Sequence, residues 1–188
     1  MDFKPLVIFE NEHYFILNKP SDISTLEDRS SSVNMLKLGR EYHPEAQVCH
    51  RLDKETSGIL VFAKNPDAYR WMAIRLEDRM VIKKYHALCE GIHHFDMQEI
   101  DVPIITGQKT KVKTGPEGKP SFTIIKTIKI FKKHTFVEAM PMTGRTHQVR
   151  FHLSHVGAPI VGDHLYGGHD AYLSRLKRNY TIGRGKEE

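Results

Sequence analysis

The residues best suited to chemistry in this chain stand in one short run around Asp53. Asp53 lies between the basic residues Arg51 and Lys54, and a turn-forming Thr-Ser-Gly sequence follows it. The apolar run at 59–63 comes next and predicts a buried strand. A carboxylate on a tight loop beside a rigid strand can act as a nucleophile or as a proton acceptor. An ordinary loop that leads into a core strand is the alternative explanation of the same residues.

Three other segments together with this run form an ordered set of motifs. They are Asn18-Lys19-Pro20, Lys84-Tyr85-His86-Ala87 and Thr143-Gly144-Arg145-Thr146-His147-Gln148-Val149-Arg150, the last continuing to Gly162-Asp163 and Tyr166-Gly167. With His50-Arg51-Leu52-Asp53, they resemble the motifs of the RluA-type RNA pseudouridine synthases. The resemblance keeps the family's order and covers about residues 7 to 168.

The resemblance implies that the chain isomerises uridine to pseudouridine in structured RNA, either ribosomal or transfer RNA. It implies Asp53 as the catalytic carboxylate, Arg145 as its bidentate partner and Tyr85 as a ring stacked on the target base. It also implies that the target nucleotide is flipped out of its helix and that Arg51 lies near the vacated position. Because the reaction is an isomerisation without redox change, we expect no cofactor.

Each of these residues also has a plainer explanation. Asp53 and Arg145 could form a structural salt bridge, Tyr85 could be a core aromatic residue, and Arg51 could contact a phosphate or pair with Glu55. An RNA-binding or RNA-folding factor that keeps the pocket without turnover is therefore the alternative function.

The positive charge of the chain is concentrated in one segment. Residues 107–134 contain eight lysines and one glutamate, a net charge of +7, whereas the whole chain carries +5. Such a basic ribbon is typical of a surface that binds a polyanion, although lysines also protect exposed strand edges. We expect RNA contacts from the lysines at its start, namely Lys109, Lys111, Lys113 and Lys119.

Composition excludes several other classes of protein. No apolar run is long enough to span a membrane, and the N-terminus has no signal-peptide pattern. Cys49 and Cys89 stand far apart, which argues against a disulfide framework or a structural zinc site. The histidines at 147, 152 and 155 match no zinc motif, so we expect no metal. We expect a cytoplasmic monomer.

The apolar patterns predict an α+β fold, with a mixed, mostly antiparallel β-sheet and flanking helices. Helices are expected from Pro66 to about Arg79 and over 148–156, and strands over 7–9, 14–17, 81–90, 121–130 and 135–140. We expect one catalytic domain over 1–188, which lacks the family's C-terminal strands and has no N-terminal S4 domain. Asp22 stands where many relatives have glycine, so the loop around it is a place where the backbone could differ.

Overall fold

The structure is a computed structural model that describes residues 3–27, 33–106 and 111–177. It divides into two compact units, Met1–Val81 and Ile82–Glu188, each of which is described by itself below. The single catalytic domain expected from the sequence stays a prediction.

The first unit is a four-stranded antiparallel sheet with two helices. Its elements are β1 (Val7–Glu10), β2 (Tyr14–Lys19), α1 (Met35–Tyr42), β3 (Gln47–Val48), β4 (Gly58–Ala63) and α2 (Pro66–Glu77). The strand order is β1-β2-β4-β3, and β2 pairs with β4 from the Tyr14–Ala63 pair to the Lys19–Gly58 pair. In this register, the loop that contains Asp53 leads into the N-terminal end of β4, which pairs with the C-terminal end of β2.

The core of the first unit lies on one face of its sheet. Phe15 of β2 and Phe62 of β4 are fully buried and stack with ring centroids 4.7 Å apart. Leu60 is also fully buried, but Ile59 is 53% exposed. The expectation of a buried strand at 59–63 was therefore wrong at Ile59, because successive side chains of a strand alternate between two faces and the face of Ile59 is less well covered at this end of β4.

Helix α2 begins where the sequence predicts. The Asn65 side chain caps it by accepting a hydrogen bond of 2.8 Å from the backbone N–H of Ala68, and Pro66 takes the first helical position. Asp67 places a negative charge in the first turn, where the helix dipole favours it. The predicted helix is confirmed, although it ends at Glu77 rather than near Arg79.

The second unit is also built on a four-stranded antiparallel sheet. Its elements are β5 (Tyr85–Glu90), β6 (Gln98–Asp101), β7 (Phe122–Ile130), β8 (His134–Pro141), α3 (Gln148–His155) and the short α4 (Leu173–Leu176). The strand order is β5-β8-β7-β6. The β7–β8 hairpin and α3 confirm the sequence expectations, and Gly157 (φ 79°) follows α3 as a left-handed cap.

One strand of the second unit is shorter than predicted. The expected strand over 81–90 begins only at Tyr85, which pairs with Ala139. Strand β8 ends two residues later at Pro141, which has no backbone N–H to extend the ladder. Leu153 of α3 packs against Ala87, Ala139 and other buried residues of the sheet, and these contacts form the core of the unit.

Candidate functional site

The loop that contains Asp53 is tied to the first unit through the residue before it. Thr25 Oγ1 accepts a hydrogen bond of 3.1 Å from the backbone N–H of Leu52 and donates one of 2.7 Å to the Leu52 carbonyl. Both Thr25 and Leu52 are buried, whereas Asp53 is half-buried. The backbone N–H of Thr56 then closes the turn on the Asp53 carbonyl at 3.1 Å. The half-buried carboxylate therefore extends from a backbone segment that hydrogen bonds hold in place.

Lys19 anchors the other side of the same loop through side-chain hydrogen bonds. Its side chain is fully buried, and Nζ donates to the carbonyls of Pro20 (2.8 Å), Ile23 (2.8 Å) and Lys54 (3.1 Å). Burial lowers the pKa of Lys19, while the nearby carboxylates, including that of Asp53, oppose this shift. The ammonium therefore anchors the residue after Asp53 and places a positive charge in the Asp53 environment.

The structural role of Lys19 was missed in the sequence, where Asn18-Lys19-Pro20 served only as a family motif. The signal was present in the alternation of β2. Phe15 and Leu17 face the core, and the period of two places Lys19 on the same face. A lysine at such an inward position needs hydrogen-bond partners, which predicts an anchoring role.

The backbone at Asp22 takes the conformation that glycine would favour. Its φ is 66°, in the left-handed region, within the loop whose Pro20 and Ile23 carbonyls bind Lys19. Asp tolerates this region better than most residues. The absence of glycine at this position has not removed the left-handed turn.

Arg51 lies at an exposed position beside a cleft of about 380 Å³ in the first unit. The cleft is lined by Leu26, Leu36, Arg40, Gln47, Val48, His50, Arg51 and Tyr69. His50 Nε2 accepts a 3.3 Å hydrogen bond from the backbone N–H of Val61, which fixes the segment before Arg51 to β4. A cleft with two guanidinium groups and an aromatic ring is suited to a nucleotide phosphate and base.

Tyr85 is the first residue of β5 in the second unit. It packs against the buried cluster that includes Ala87 and Cys89, the residues that share its face of the strand. Tyr85 itself is half-buried, so its ring is partly accessible. The face that Tyr85 shares with Ala87 and Cys89 is therefore the one that packs on the core, whereas stacking of the ring on a base stays a prediction.

Arg145 belongs to a loop of the second unit that the buried side-chain amide of Gln148 helps to hold in place. Gln148 Oε1 accepts hydrogen bonds from the backbone N–H of Arg145 (3.0 Å) and from Thr143 Oγ1 (2.7 Å). Its Nε2 donates to the Phe122 carbonyl (3.0 Å) and to Thr123 Oγ1 (2.9 Å). All four bonding positions of the amide are used, so the loop is fastened to β7.

The side chain of Arg145 is also oriented. Its Nε donates a 3.1 Å hydrogen bond to the carbonyl of Pro120, which fixes the plane of the guanidinium. The structure thus describes Asp53 and Arg51 in one loop of the first unit, and Tyr85 and Arg145 in the second unit. Bidentate pairing of Arg145 with Asp53 stays a prediction.

The described lysines at the start of the basic ribbon are exposed, and backbone hydrogen bonds hold two of them in place. Lys113 exchanges two backbone hydrogen bonds with Ile105 (2.7 and 3.2 Å), and Lys119 exchanges two with Ile104 (3.0 and 2.9 Å). Val112 is buried, and its N–H donates 3.0 Å to the hydroxyl of Tyr166. Lys111 and Lys113 flank Val112 and are exposed, as is Lys119. Lys109 lies outside the described residues.

The histidines of the last motif have structural hydrogen bonds. His152 is fully buried, with Nδ1 2.8 Å from Thr123 Oγ1 and Nε2 3.0 Å from the Val102 carbonyl. Burial lowers its pKa. His147, at φ 52° before α3, shares a 2.9 Å hydrogen bond with the Tyr166 hydroxyl. Across the described part of the chain, no three His, Cys, Asp or Glu residues are grouped as a metal site would require.

Comparison with known proteins identifies the family. A model of the family described as RNA pseudouridylate synthase matches residues 13–155. The ribosomal large subunit pseudouridine synthase C of Vibrio vulnificus is 35% identical over 180 residues, which are 93% of this chain and 57% of that protein. An uncharacterized RNA pseudouridine synthase of Helicobacter pylori is 38% identical over 176 residues, 92% of this chain and 68% of that protein. The chain belongs to the RNA pseudouridylate synthase family, and the RluA-type resemblance is confirmed.

Solved structures agree with this assignment. Human RNA pseudouridylate synthase domain containing 1 superposes with a TM-score of 0.72 at 29% identity, over 86% of this chain and 69% of that one. Human RNA pseudouridylate synthase domain containing 4 has a TM-score of 0.71 at 25% identity, over 87% and 70%. The α+β fold expected from the sequence is therefore confirmed. Among the described residues, no helix has the length and apolar character needed to cross a bilayer.

Proposed function

We propose that this chain isomerises uridine to pseudouridine in structured RNA, with Asp53 as the catalytic carboxylate. The bond between uracil N1 and ribose C1′ breaks and a bond from uracil C5 to C1′ forms, while C5 loses a proton and N1 gains one. No oxidant, reductant or cofactor is consumed. The observation that supports this proposal most is the fixed backbone around Asp53, which Thr25 and Lys19 clamp on both sides.

The other motif residues receive supporting roles. Tyr85 stacks on the flipped base, since its ring is partly accessible at the first position of β5. Arg145 keeps Asp53 ionised and oriented, because a guanidinium stays charged and binds a carboxylate in a fixed plane. Arg51 occupies the place in the RNA that the target nucleotide leaves. These roles follow the family resemblance and the order of the motifs.

The first RNA to test is ribosomal. Several similar proteins, including that of Vibrio vulnificus, are named ribosomal large subunit pseudouridine synthase C, and the chain spans only 57% of the length of the Vibrio vulnificus protein. Pseudouridines should therefore be mapped in total RNA from cells with and without the gene, in ribosomal and transfer RNA alike. We expect one or a few sites in large-subunit RNA to lose the modification, and the purified protein to restore it on an unmodified transcript. The cytoplasmic location and the monomeric state stay predictions.

Asp53→Asn tests the catalytic residue. Release of tritium from [5-³H]uridine in the transcript measures bond formation at C5, and filter binding measures affinity. We expect Asp53→Asn to abolish release while RNA binding persists, because the amide keeps the shape and loses the nucleophilicity and basicity of the carboxylate. Glu55→Gln, which neutralises an exposed carboxylate of the same loop, is the matched control and should retain turnover. Turnover of the Asp53→Asn protein near the parent rate would refute the assignment. A parent protein that binds RNA without any turnover would instead support the non-catalytic RNA-binding or RNA-folding factor.

The basic ribbon is tested by salt dependence. Each phosphate contact contributes about 0.7 to 0.9 to the slope of log affinity against log salt. Replacing Lys109, Lys111, Lys113 and Lys119 with Gln should therefore flatten the slope by roughly three units. Lys126→Gln is the control, since Lys126 Nζ lies 3.1 Å from Glu138 Oε1 and is already paired. An unchanged slope in the fourfold variant would show that these lysines protect an exposed strand edge and do not contact RNA phosphates.

A further inference from the structure

Lys83 stands at a chemically unusual position in the second unit. It is half-buried, two residues before Tyr85, and its ammonium lies beside the loop that contains Arg145. A Cβ on Gly144 would lie 3.7 Å from Lys83 Nζ, and apart from Gly144 and its two chain neighbours no other described residue would come within 4 Å of it. The ammonium therefore lies next to the exposed Gly144 backbone, and Gly144 has no side chain to fill the space around it.

The environment of Lys83 differs from that of the other lysines near the motifs. Lys19 is satisfied by three carbonyls and faces the carboxylates of Asp22, Glu55 and Asp53. The neighbouring Lys84 is exposed, with Nζ 3.7 Å from Glu138 Oε1.

Burial lowers the pKa of Lys83, and no carboxylate opposes that shift. Within residues 3–27, 33–106 and 111–177, its ammonium has no hydrogen bond or ion pair. Lys83 is thus a desolvated cation whose charge these residues leave uncompensated.

A lysine can also bury its alkyl stem while its charge stays in water, and that would be the plainest explanation. An ammonium that reaches bulk water keeps its solvation, however, and burial then has little effect on its pKa. The Lys83 ammonium lies against the Gly144 backbone rather than extending away from the protein, and this placement argues against that explanation. An uncompensated, partly desolvated cation costs folding free energy, and a bound anion would recover that cost.

We propose that Lys83 binds a phosphate of the RNA substrate in the space beside Gly144 and Arg145. RNA carries one anionic phosphate per nucleotide, and a lysine ammonium is a compact point charge that binds phosphate well. The inference rests on the proposed function, because it takes RNA as the ligand. It deepens that function by assigning a residue that positions the RNA backbone close to the Tyr85 and Arg145 motifs.

Lys83→Met separates this role from a structural one. The methionine keeps the stem and removes the charge, so the Kd for a stem-loop carrying the mapped uridine should rise about tenfold, the scale of one charge-assisted hydrogen bond. The melting temperature should stay the same or rise, because the uncompensated charge is gone. Lys84→Met is the matched control and should change Kd by less than about twofold, as an exposed pair contributes little. Lys83→Arg should retain most of the affinity.

A methylphosphonate scan identifies the phosphate. Each linkage around the target uridine is replaced in turn by a neutral methylphosphonate, and Kd is measured for the parent, Lys83→Met and Lys83→Gln proteins. We expect one linkage at which neutralisation weakens the parent about tenfold and leaves both variants unaffected. A lower melting temperature with an unchanged Kd in Lys83→Met, or equal sensitivity of parent and variants at every linkage, would overturn the proposal. Because the readout is binding, a failure of Lys83 is distinguishable from a failure of catalysis by Asp53.

Discussion

Replacing Lys19 with methionine tests whether a buried ammonium holds the loop that contains Asp53. The side chain is fully buried and its Nζ donates three hydrogen bonds to backbone carbonyls. Methionine fills a similar volume and donates none, so three carbonyls lose their partner. Each such loss costs about 1 to 3 kcal/mol, while removal of the desolvated charge recovers part of the total.

We therefore expect Lys19→Met to lower the unfolding free energy by about 3 to 5 kcal/mol, the lower part of the range that three unpaired buried carbonyls would give. For a domain of this size that loss lowers the melting temperature by roughly 10 °C. Urea titration monitored by circular dichroism measures the free energy. Lys37→Met is the control, because Lys37 is an exposed residue of α1 and its removal should change stability by less than about 0.5 kcal/mol.

The same variant should impair catalysis more than binding. The Lys54 carbonyl, which Lys19 binds at 3.1 Å, belongs to the residue directly after Asp53. When the hydrogen bond to this carbonyl is lost, Asp53 samples more positions and kcat falls. The RNA keeps the contacts that it makes elsewhere, so KM changes little. A variant with parent stability and parent kcat would show that the three hydrogen bonds of Lys19 do not position the loop. The assay must be run well below the lowered melting temperature so that unfolding is not read as lost turnover.

Substitutions at three other positions test further contacts of the two units. Asp22→Ala should be about 1 kcal/mol less stable than Asp22→Gly, because both remove the carboxylate and only Ala is strained at φ 66°; equal urea midpoints would contradict this. Gln148→Leu should lose roughly 3 kcal/mol and most of kcat, since four hydrogen bonds vanish and the Arg145 loop is released; a variant with normal kcat would show that another contact holds Arg145. The hydrogen bond from Lys64 lowers the pKa of Glu10 below its ordinary value of 4.5. The unfolded state therefore binds more protons than the folded state, and the stability that the Glu10–Lys64 pair contributes is lost as the pH falls below 4.5. In Glu10→Gln that part of the acid dependence should be missing from unfolding curves, and an unaltered dependence would show that the Lys64 pair does not contribute.

Local patterns in the sequence predicted most of the regular elements. The Asn65 cap with Pro66 marks the start of α2, and Gly157 marks the end of α3, because these signals act over a single turn. Strand β6 was missed, since Gln98–Asp101 has one apolar residue, Ile100, and owes its conformation to pairing with β7. The residues that flank Gln98–Asp101 in the sequence do not indicate that this segment pairs with β7.

The candidate site was predictable as residue types and not as contacts. Asp53, Tyr85 and Arg145 could be named because their motifs are contiguous in the sequence. The clamp between Thr25 and Leu52 joins residues 27 positions apart, and its hydroxyl could have bonded to many other groups. Such a contact depends on the register of the whole sheet, so it emerges only from the folded unit.

The two units hold the backbone at Asp53 and at Arg145 by the same physical means. In the first unit Thr25 and Lys19 bind the backbone on either side of Asp53, and in the second Gln148 binds the backbone N–H of Arg145. In each case a buried polar side chain is satisfied by the loop that it fixes, so loosening the loop would leave buried polar groups unpaired. The loops are therefore ordered before RNA arrives, and the free energy of RNA binding is not needed to order them. This arrangement explains why removing an anchor should reduce kcat more than affinity, whereas removing Lys83, which has no partner among the described residues and is assigned to the RNA, should do the reverse.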